Sequence, residues 1–157
     1  MSFLADAYIV PTSRMEAVCR AADEGAGYDD ALKRAATKHI EYEHQGAGYC
    51  VVSALTFLGD LGIDLLGVGG RHPDAQRLQA RIEAGSALVL TRASRDELLP
   101  KLRATKIKVP DLVRHGSEMG GARGPDAAET MKSAMRFLHL SLASIEPDHV
   151  AVVIVAQ

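Results

Sequence analysis

Tryptophan is absent from this chain of 157 residues, and three phenylalanines and four tyrosines make up an aromatic share of only 4%. Aliphatic side chains and alanine must therefore fill the interior, and a hydrophobic fraction of 47% supplies them. There are only two cysteines, Cys19 and Cys50, each in apolar helical surroundings. That is too few for the disulfide framework of a secreted domain and points to a reducing compartment, the cytoplasm. Charge of one sign is also lacking: 18 basic against 20 acidic residues leave a net charge of −2, which excludes general electrostatic affinity for nucleic acid. The most apolar stretch, residues 48–66 (GYCVVSALTFLGDLGIDLL), is broken by Gly59, Asp60, Gly62 and Asp64. It falls short of the roughly 20 unbroken apolar residues that a bilayer requires. The opening MSFLADAYIVP has no basic region ahead of its apolar run and meets Asp6 early, so no signal peptide is expected.

What remains is the material of one soluble domain spanning residues 1–157, long enough to bury about two-thirds of its unfolded surface without staples. Its organising element is a buried helix within residues 48–66, where Tyr49, Val52, Leu55, Phe57, Leu58 and Leu61 recur at helical spacing. Ahead of it, residues 7–11 (AYIVP) read as a strand. Ser13 and Glu16 then stand at capping-box spacing before a helix with Met15, Val18, Cys19 and Ala22 on one face. A second helix begins near Asp29, with Tyr28, Leu32, Ala35, Ala36, His39 and Ile40 as its stripe.

Beyond the central helix, Gly67, Gly69 and Gly70 read as a flexible turn, and His72-Pro73-Asp74 opens a further helix that stops at Gly85. Residues 87–91 form a strand, and Ser94 with Glu97 repeats the capping spacing ahead of Leu98, Leu99 and Leu102. AYIVPTSRMEAV and ALVLTRASRDELL thus share one order, which fits either a duplicated β-α unit or two ordinary junctions that use common capping chemistry. Residues 106–109 (KIKV) alternate like a half-exposed edge strand and fit a loop equally well. Residues 115–124 (HGSEMGGARG) read as a mobile surface loop. The longest helix starts after Pro125-Asp126 and buries Met131, Ala134, Met135, Leu138, Leu142 and Ile145. Residues 149–155 (HVAVVIV) are unbroken enough to be a central strand covered on both faces. The expected fold class is α+β, with a small mixed sheet packed against several helices.

Four constellations bear on chemistry. Cys50 stands at the start of the central helix, where free backbone N–H groups and the helix dipole lower a thiol pKa. With Gln45 ahead of it and His149 at the start of a later strand, the order resembles papain-like cysteine enzymes. That resemblance implies an oxyanion-hole Gln45, a nucleophilic Cys50 and a basic His149, in a peptidase or amidase type of reaction. The chain departs from the pattern in carrying Val51 beside the cysteine, and in ending eight residues beyond His149, which leaves no strand for a third member. The plainer reading makes Cys50 a small core side chain and His149 the first residue of a strand.

His39, Glu41, Glu43 and His44 suggest metal ligands. On a helix only His39 and Glu43 share a face, and the spacing fits neither H-E-x-x-H nor H-x-x-E-H, so a solvated helix end and no metal are expected. Gly67, Gly69 and Gly70 follow a helix rather than a strand and lack a third glycine of the dinucleotide fingerprint, so no nucleotide cofactor is expected either. Met131 and Met135 read as core filler. Asp23, Glu24, Asp29, Asp30, Glu41 and Glu43 give the N-terminal third a negative bias that would steer a basic protein partner.

Taken together, AYIVPTSRMEAV, YCVVSALTFLGDLG, ALVLTRASRDELL and MRFLHLSLASIEPDHVAVVIV resemble the YfbM-like group of small bacterial proteins. The resemblance spans most of the chain and rests on apolar and capping positions. It implies an α+β domain without established chemistry, and relatives of this general kind occur among immunity proteins that neutralise a toxin. The expectation from sequence is therefore a cytoplasmic binding module of the immunity type rather than an enzyme, with the thiol enzyme as the alternative.

Overall fold

The most hydrophobic strand takes an interior position. In the computed structural model, which describes residues 3–120 and 124–157, four strands, Leu4–Pro11 (β1), Lys38–Glu41 (β2), Gly85–Leu90 (β3) and His149–Ala156 (β4), pair in the order β2-β1-β4-β3. β4 lies between β1 and β3, with Ala5 opposite Val155, Pro11 opposite His149 and Leu88 opposite Val153. Val150 to Val155 are all buried, as a β-branched run covered on two faces must be. Every neighbouring pair is antiparallel, so the sheet is not the mixed one expected.

Helices cover both faces. Ala5, Ala7, Ile9, Leu88, Leu90, Ala151 and Val153 form one core with α3 (Tyr49–Asp60), α4 (Leu65–Gly70), α6 (Arg92–Ala104), α7 (Val109–Glu118) and α8 (Ala127–Ala143). Tyr8, Val10, Val89, Val150 and Val152 form the other with α1 (Met15–Asp23), α2 (Tyr28–Ala35) and α5 (Pro73–Gln79). Alternation of side chains along each strand sorts residues between these two cores. No helix among the described residues is long and apolar enough to cross a membrane.

Several local expectations give way to packing. The stripe assigned to a helix reaching Ile40 ends at Ala35: Ala36 turns extended, and β2 (Lys38–Glu41) pairs with β1. Thr37 makes the transfer, donating from its N–H (2.8 Å) and from its hydroxyl (3.2 Å) to the Ile9 carbonyl. Open hydrogen-bonding groups on β1 outweigh the weak helix preference of an Ala-rich segment. Residues 105–108 carry no regular structure, and Val109 and Pro110 open α7 instead of ending a strand. His115 to Glu118, read from sequence as loop, form the last turn of α7; the rest of that stretch beyond Gly120 reaches residues 121–123, outside the described residues.

The glycine turn at residues 67–70 is helical. The Asp64 carboxylate caps it by accepting from the Gly67 N–H at 2.8 Å, and Gly69 lies against the sheet. A Cβ on Gly69 would come within 3.0 Å of both Leu88 Cβ and Leu90 Cδ2, so the small residue serves close helix–sheet approach. The two strand-helix units are not copies: α1 packs on one face of the sheet and α6 on the other. Their starts differ as well. A 3-10 turn (Thr12–Arg14) precedes α1 with no side-chain cap, whereas Thr91, not Ser94, caps α6 by accepting from the Ser94 N–H at 3.1 Å.

Side-chain amides finish the pairing where strands run out. Gln45 accepts from the Ala5 N–H (3.1 Å) and donates to the Ala5 carbonyl (3.0 Å), just beyond the end of β2. Gln79 does the same on the outer edge of β3, accepting from Ala87 N–H at 2.8 Å and donating to the Gly85 carbonyl at 3.3 Å. Such closure protects exposed edges from pairing with another chain.

Candidate functional site

The β1–β2 register decides what stands at the open end of the second core. Asp6 faces Glu41 and Tyr8 faces His39 as direct cross-strand pairs, so all four side chains emerge on one side of the sheet. The first turn of α2 overhangs them, and a cleft of about 420 Å³ opens between, walled by Tyr28, Asp29 and Lys33 and bordered by Leu4, Ile154 and Ala156.

Within the cleft the polar groups form one chain of contacts. His39 Nε2 lies 2.8 Å from Asp6 Oδ1, and its ring stacks on Tyr8 with centroids 4.5 Å apart and planes 8° from parallel. The Tyr8 hydroxyl donates to Asp29 Oδ1 at 3.0 Å, and Lys33 Nζ donates to Asp29 Oδ2 at 3.0 Å. Burial first, then the Asp6 charge and the bond to Asp29, push the Tyr8 phenol far above its ordinary value. Tyr8 is therefore a neutral, fixed donor that holds the imidazole in place. One atom each from Asp6, His39 and Glu41 lies within 4.8 Å of the others.

The acidic residues singled out from sequence separate into three environments. Asp29 and Glu41 border the cleft. Asp23 is tied to α5, accepting from Arg77 Nε at 3.0 Å while Arg77 also reaches Glu16 at 2.9 Å, and the guanidinium lowers both carboxyls. Glu43 lies beside α8, where Ser133 and Arg136 donate to it and hold its carboxyl below the usual range. Glu24 and Asp30 are exposed at the end of α1 and the start of α2. No single acidic face joins the six.

The thiol-enzyme residues do not converge. Cys50 is buried in the first core with Leu55, Leu58 and Val153, and burial pushes its thiol up, opposite to what a nucleophile requires. Its own N–H is already bonded to the Ala47 carbonyl at 2.9 Å. His149 is fixed by a 2.8 Å contact between Nδ1 and the Pro147 carbonyl. Gln45 has both amide atoms on Ala5, whereas His149 pairs with Pro11. Six strand residues separate those positions, about 20 Å at the rise of a β-strand. Cys19 is likewise buried, its thiol pushed up to about 12 by desolvation and by Asp74. Both cysteines are therefore expected to resist iodoacetamide in the native protein and to alkylate only after denaturation; mass spectrometry of pulse-labelled samples checks this, and fast native labelling of Cys50 would reinstate the thiol enzyme.

The metal arrangement also changes. Because residues 38–41 are strand, His39 and Glu41 share a side, while Glu43 and His44 leave it and join Glu129. In that second group Arg136 already sits on the carboxylates, 3.3 Å from Glu43 and 2.9 Å from Glu129. A larger hollow of about 540 Å³ near Phe3, Tyr49, Val52 and Met119 is bordered by no charged side chain among the described residues. Asp6, Tyr8 and His39 went unseen as a set in the sequence. The signal was the pair of alternations Asp6-x-Tyr8 and His39-x-Glu41, legible only if both segments are strands.

Compared with protein-family models, with curated proteins and with solved structures, the chain matches none.

Proposed function

We propose that this protein is a binding module that takes a basic side chain of a protein partner into the cleft at the β1–β2 end of the sheet. The observation that carries the reading is the direct pairing of Asp6 with Glu41 across the strands, with Asp29 on the wall above them. Like charges directly opposite one another destabilise a sheet. A guanidinium or ammonium group placed between the carboxylates removes that repulsion and gains charge-assisted hydrogen bonds. Within the cleft Lys33 is engaged with Asp29 and His39 with Asp6, while Glu41 has no basic partner among the described residues. The YfbM-like resemblance, the cytoplasmic address and the immunity role belong to the same proposal: a toxin with a basic surface is the partner they suggest. Of the six acidic residues picked out from sequence, Asp29 and Glu41 carry this reading.

Co-expression with the product of the neighbouring gene, followed by size-exclusion chromatography, tests it. The wild-type protein is expected to co-elute with that product, and Glu41→Lys, an exposed change, to weaken the complex at least about tenfold by removing one desolvated charge pair. Salt should lower the association rate. Failure to co-elute, or a complex indifferent to Glu41→Lys, would reject the proposal.

A further inference from the structure

We infer that Asp6, His39 and Glu41 form a binding site for a divalent first-row transition-metal ion, with Tyr8 and Asp29 as its supporting groups. The three side chains offer one imidazole nitrogen and two carboxylate oxygens, all within 4.8 Å of one another. A zinc-type ion with bonds of about 2.0–2.2 Å holds its ligand atoms about 3.4 Å apart. Reaching that size requires the exposed Glu41 carboxylate to rotate inward and the Asp6 and His39 atoms, in hydrogen-bond contact at 2.8 Å, to part by about 0.6 Å.

The backbone makes this more than a chance gathering of acids. His39 and Glu41 are alternate residues of β2, and Asp6 is the register partner of Glu41 on β1, so all three Cα positions are set by ladder hydrogen bonds. The imidazole is held face to face against Tyr8, whose hydroxyl is in turn anchored on Asp29. Stacking fixes the plane of the ring, as packing around a ligating side chain does in a preorganised site. Nε2 is the atom aimed at Asp6, so an ion bound there takes the place of the Nε2–Asp6 hydrogen bond.

The second Asp/Glu/His group of the molecule supplies a contrast. At Glu43, His44 and Glu129 a guanidinium bridges the carboxylates and fills the place of a cation. At Asp6 and Glu41 no lysine or arginine among the described residues forms an ion pair, although the two carboxylates face each other across the strands. An ion there neutralises that pair. The imidazole selects against magnesium and calcium, which take oxygen ligands, and favours zinc, nickel or copper. Three protein ligands leave at least one coordination position facing the open cleft.

The ion and a partner's basic side chain would compete for the same Asp6–Glu41 pair, and because the metal alone is the probe here, failure of one reading is told apart from failure of the other. Titration of the purified, chelator-treated protein with Zn²⁺ by calorimetry, and with Co²⁺ by visible absorption, is expected to show one equivalent bound. Glu41→Gln and His39→Ala should each weaken binding at least about tenfold, the loss typical of disturbed metal sites. Glu43→Gln should leave it unchanged, and Mg²⁺ at equal concentration should not compete. Glu41→Gln alters an exposed side chain and keeps the test valid if His39→Ala proves unstable by circular dichroism. No saturable binding, binding indifferent to Glu41→Gln, or binding lost in Glu43→Gln would overturn the assignment.

Discussion

Gly85→Ala is expected to lower the stability of the protein by about 3 kcal/mol, the largest loss foreseen for the addition of a single methyl group. Gly85 opens β3 at φ +136°, a backbone conformation that side chains of L-residues rarely adopt. A Cβ built there would lie 1.9 Å from the Val155 carbonyl oxygen and 2.9 Å from Ala156 Cα. Both obstacles are backbone of the central strand, and Gly85 is the register partner of Ala156, so relief requires β3 to part from β4 at that end. The Gln79 amide, which donates to the Gly85 carbonyl, would lose its seat as well. Urea denaturation checks the value: the midpoint should fall with little change in slope. The matching control is Gly59→Ala in α3, where an added Cβ meets nothing within 4 Å and helix propensity predicts a gain of up to about 1 kcal/mol. Equal midpoints for the two variants would show that the β3–β4 junction is not as described.

Leu55→Ala should cost about 3–4 kcal/mol, within the range of 2–5 for a fully buried leucine. Leu55 has no solvent exposure and lies on α3 in the first core, which it shares with Ala7, Ile9 and Val153 of the sheet and with Leu138 of α8. α3 packs against α8 and against β1 and β4, none of which relaxes easily into a cavity. A loss of that size is a large part of the roughly 5–15 kcal/mol that holds a domain of this kind together. The readout is again the urea midpoint, at constant slope. A loss below about 1 kcal/mol would mean that α3 is not the packing centre of the first core.

The stability variants and the cleft variants separate fold from function. Leu55 lies outside the cleft and its replacement acts on folding alone, and Gly85→Ala acts on the β3–β4 junction beside the cleft rim at Ala156, whereas Glu41 is exposed and its replacement is expected to move the midpoint little, and upward, since it removes a like-charge pair.

Much of the architecture was legible in the chain because it rests on composition and short-range pattern. HVAVVIV has no polar face, so it had to lie inside a sheet covered on both sides, and β4 does. Pro73 behind His72 marked the start of α5. Cys50 and Met131 were readable as core side chains, and both are buried. The errors cluster where local preference is weak and a long-range partner decides. Ala35 and Ala36 permit helix, yet the free edge of β1 draws residues 38–41 into a strand. Glycines 67, 69 and 70 read as a turn, yet Asp64 caps them and the sheet needs them small.

The candidate site followed that error. While His39 and Glu41 were placed on a helix they pointed apart, and Asp6 stood ahead of a first strand read as beginning at Ala7, whereas β1 begins at Leu4. Once both segments are strands, a period of two sets His39 beside Glu41, and antiparallel register sets them against Tyr8 and Asp6. The sequence by itself determined the class of fold, the central strand, the buried helix α3 and the absence of a long apolar span, because each depends on the amount and spacing of apolar residues. Only the tertiary structure decided the order and antiparallel sense of the strands, the separation of Gln45, Cys50 and His149, and the meeting of Asp6, His39 and Glu41. Those depend on register between segments more than 30 residues apart, and cross-strand pairing carries no signature in either segment alone.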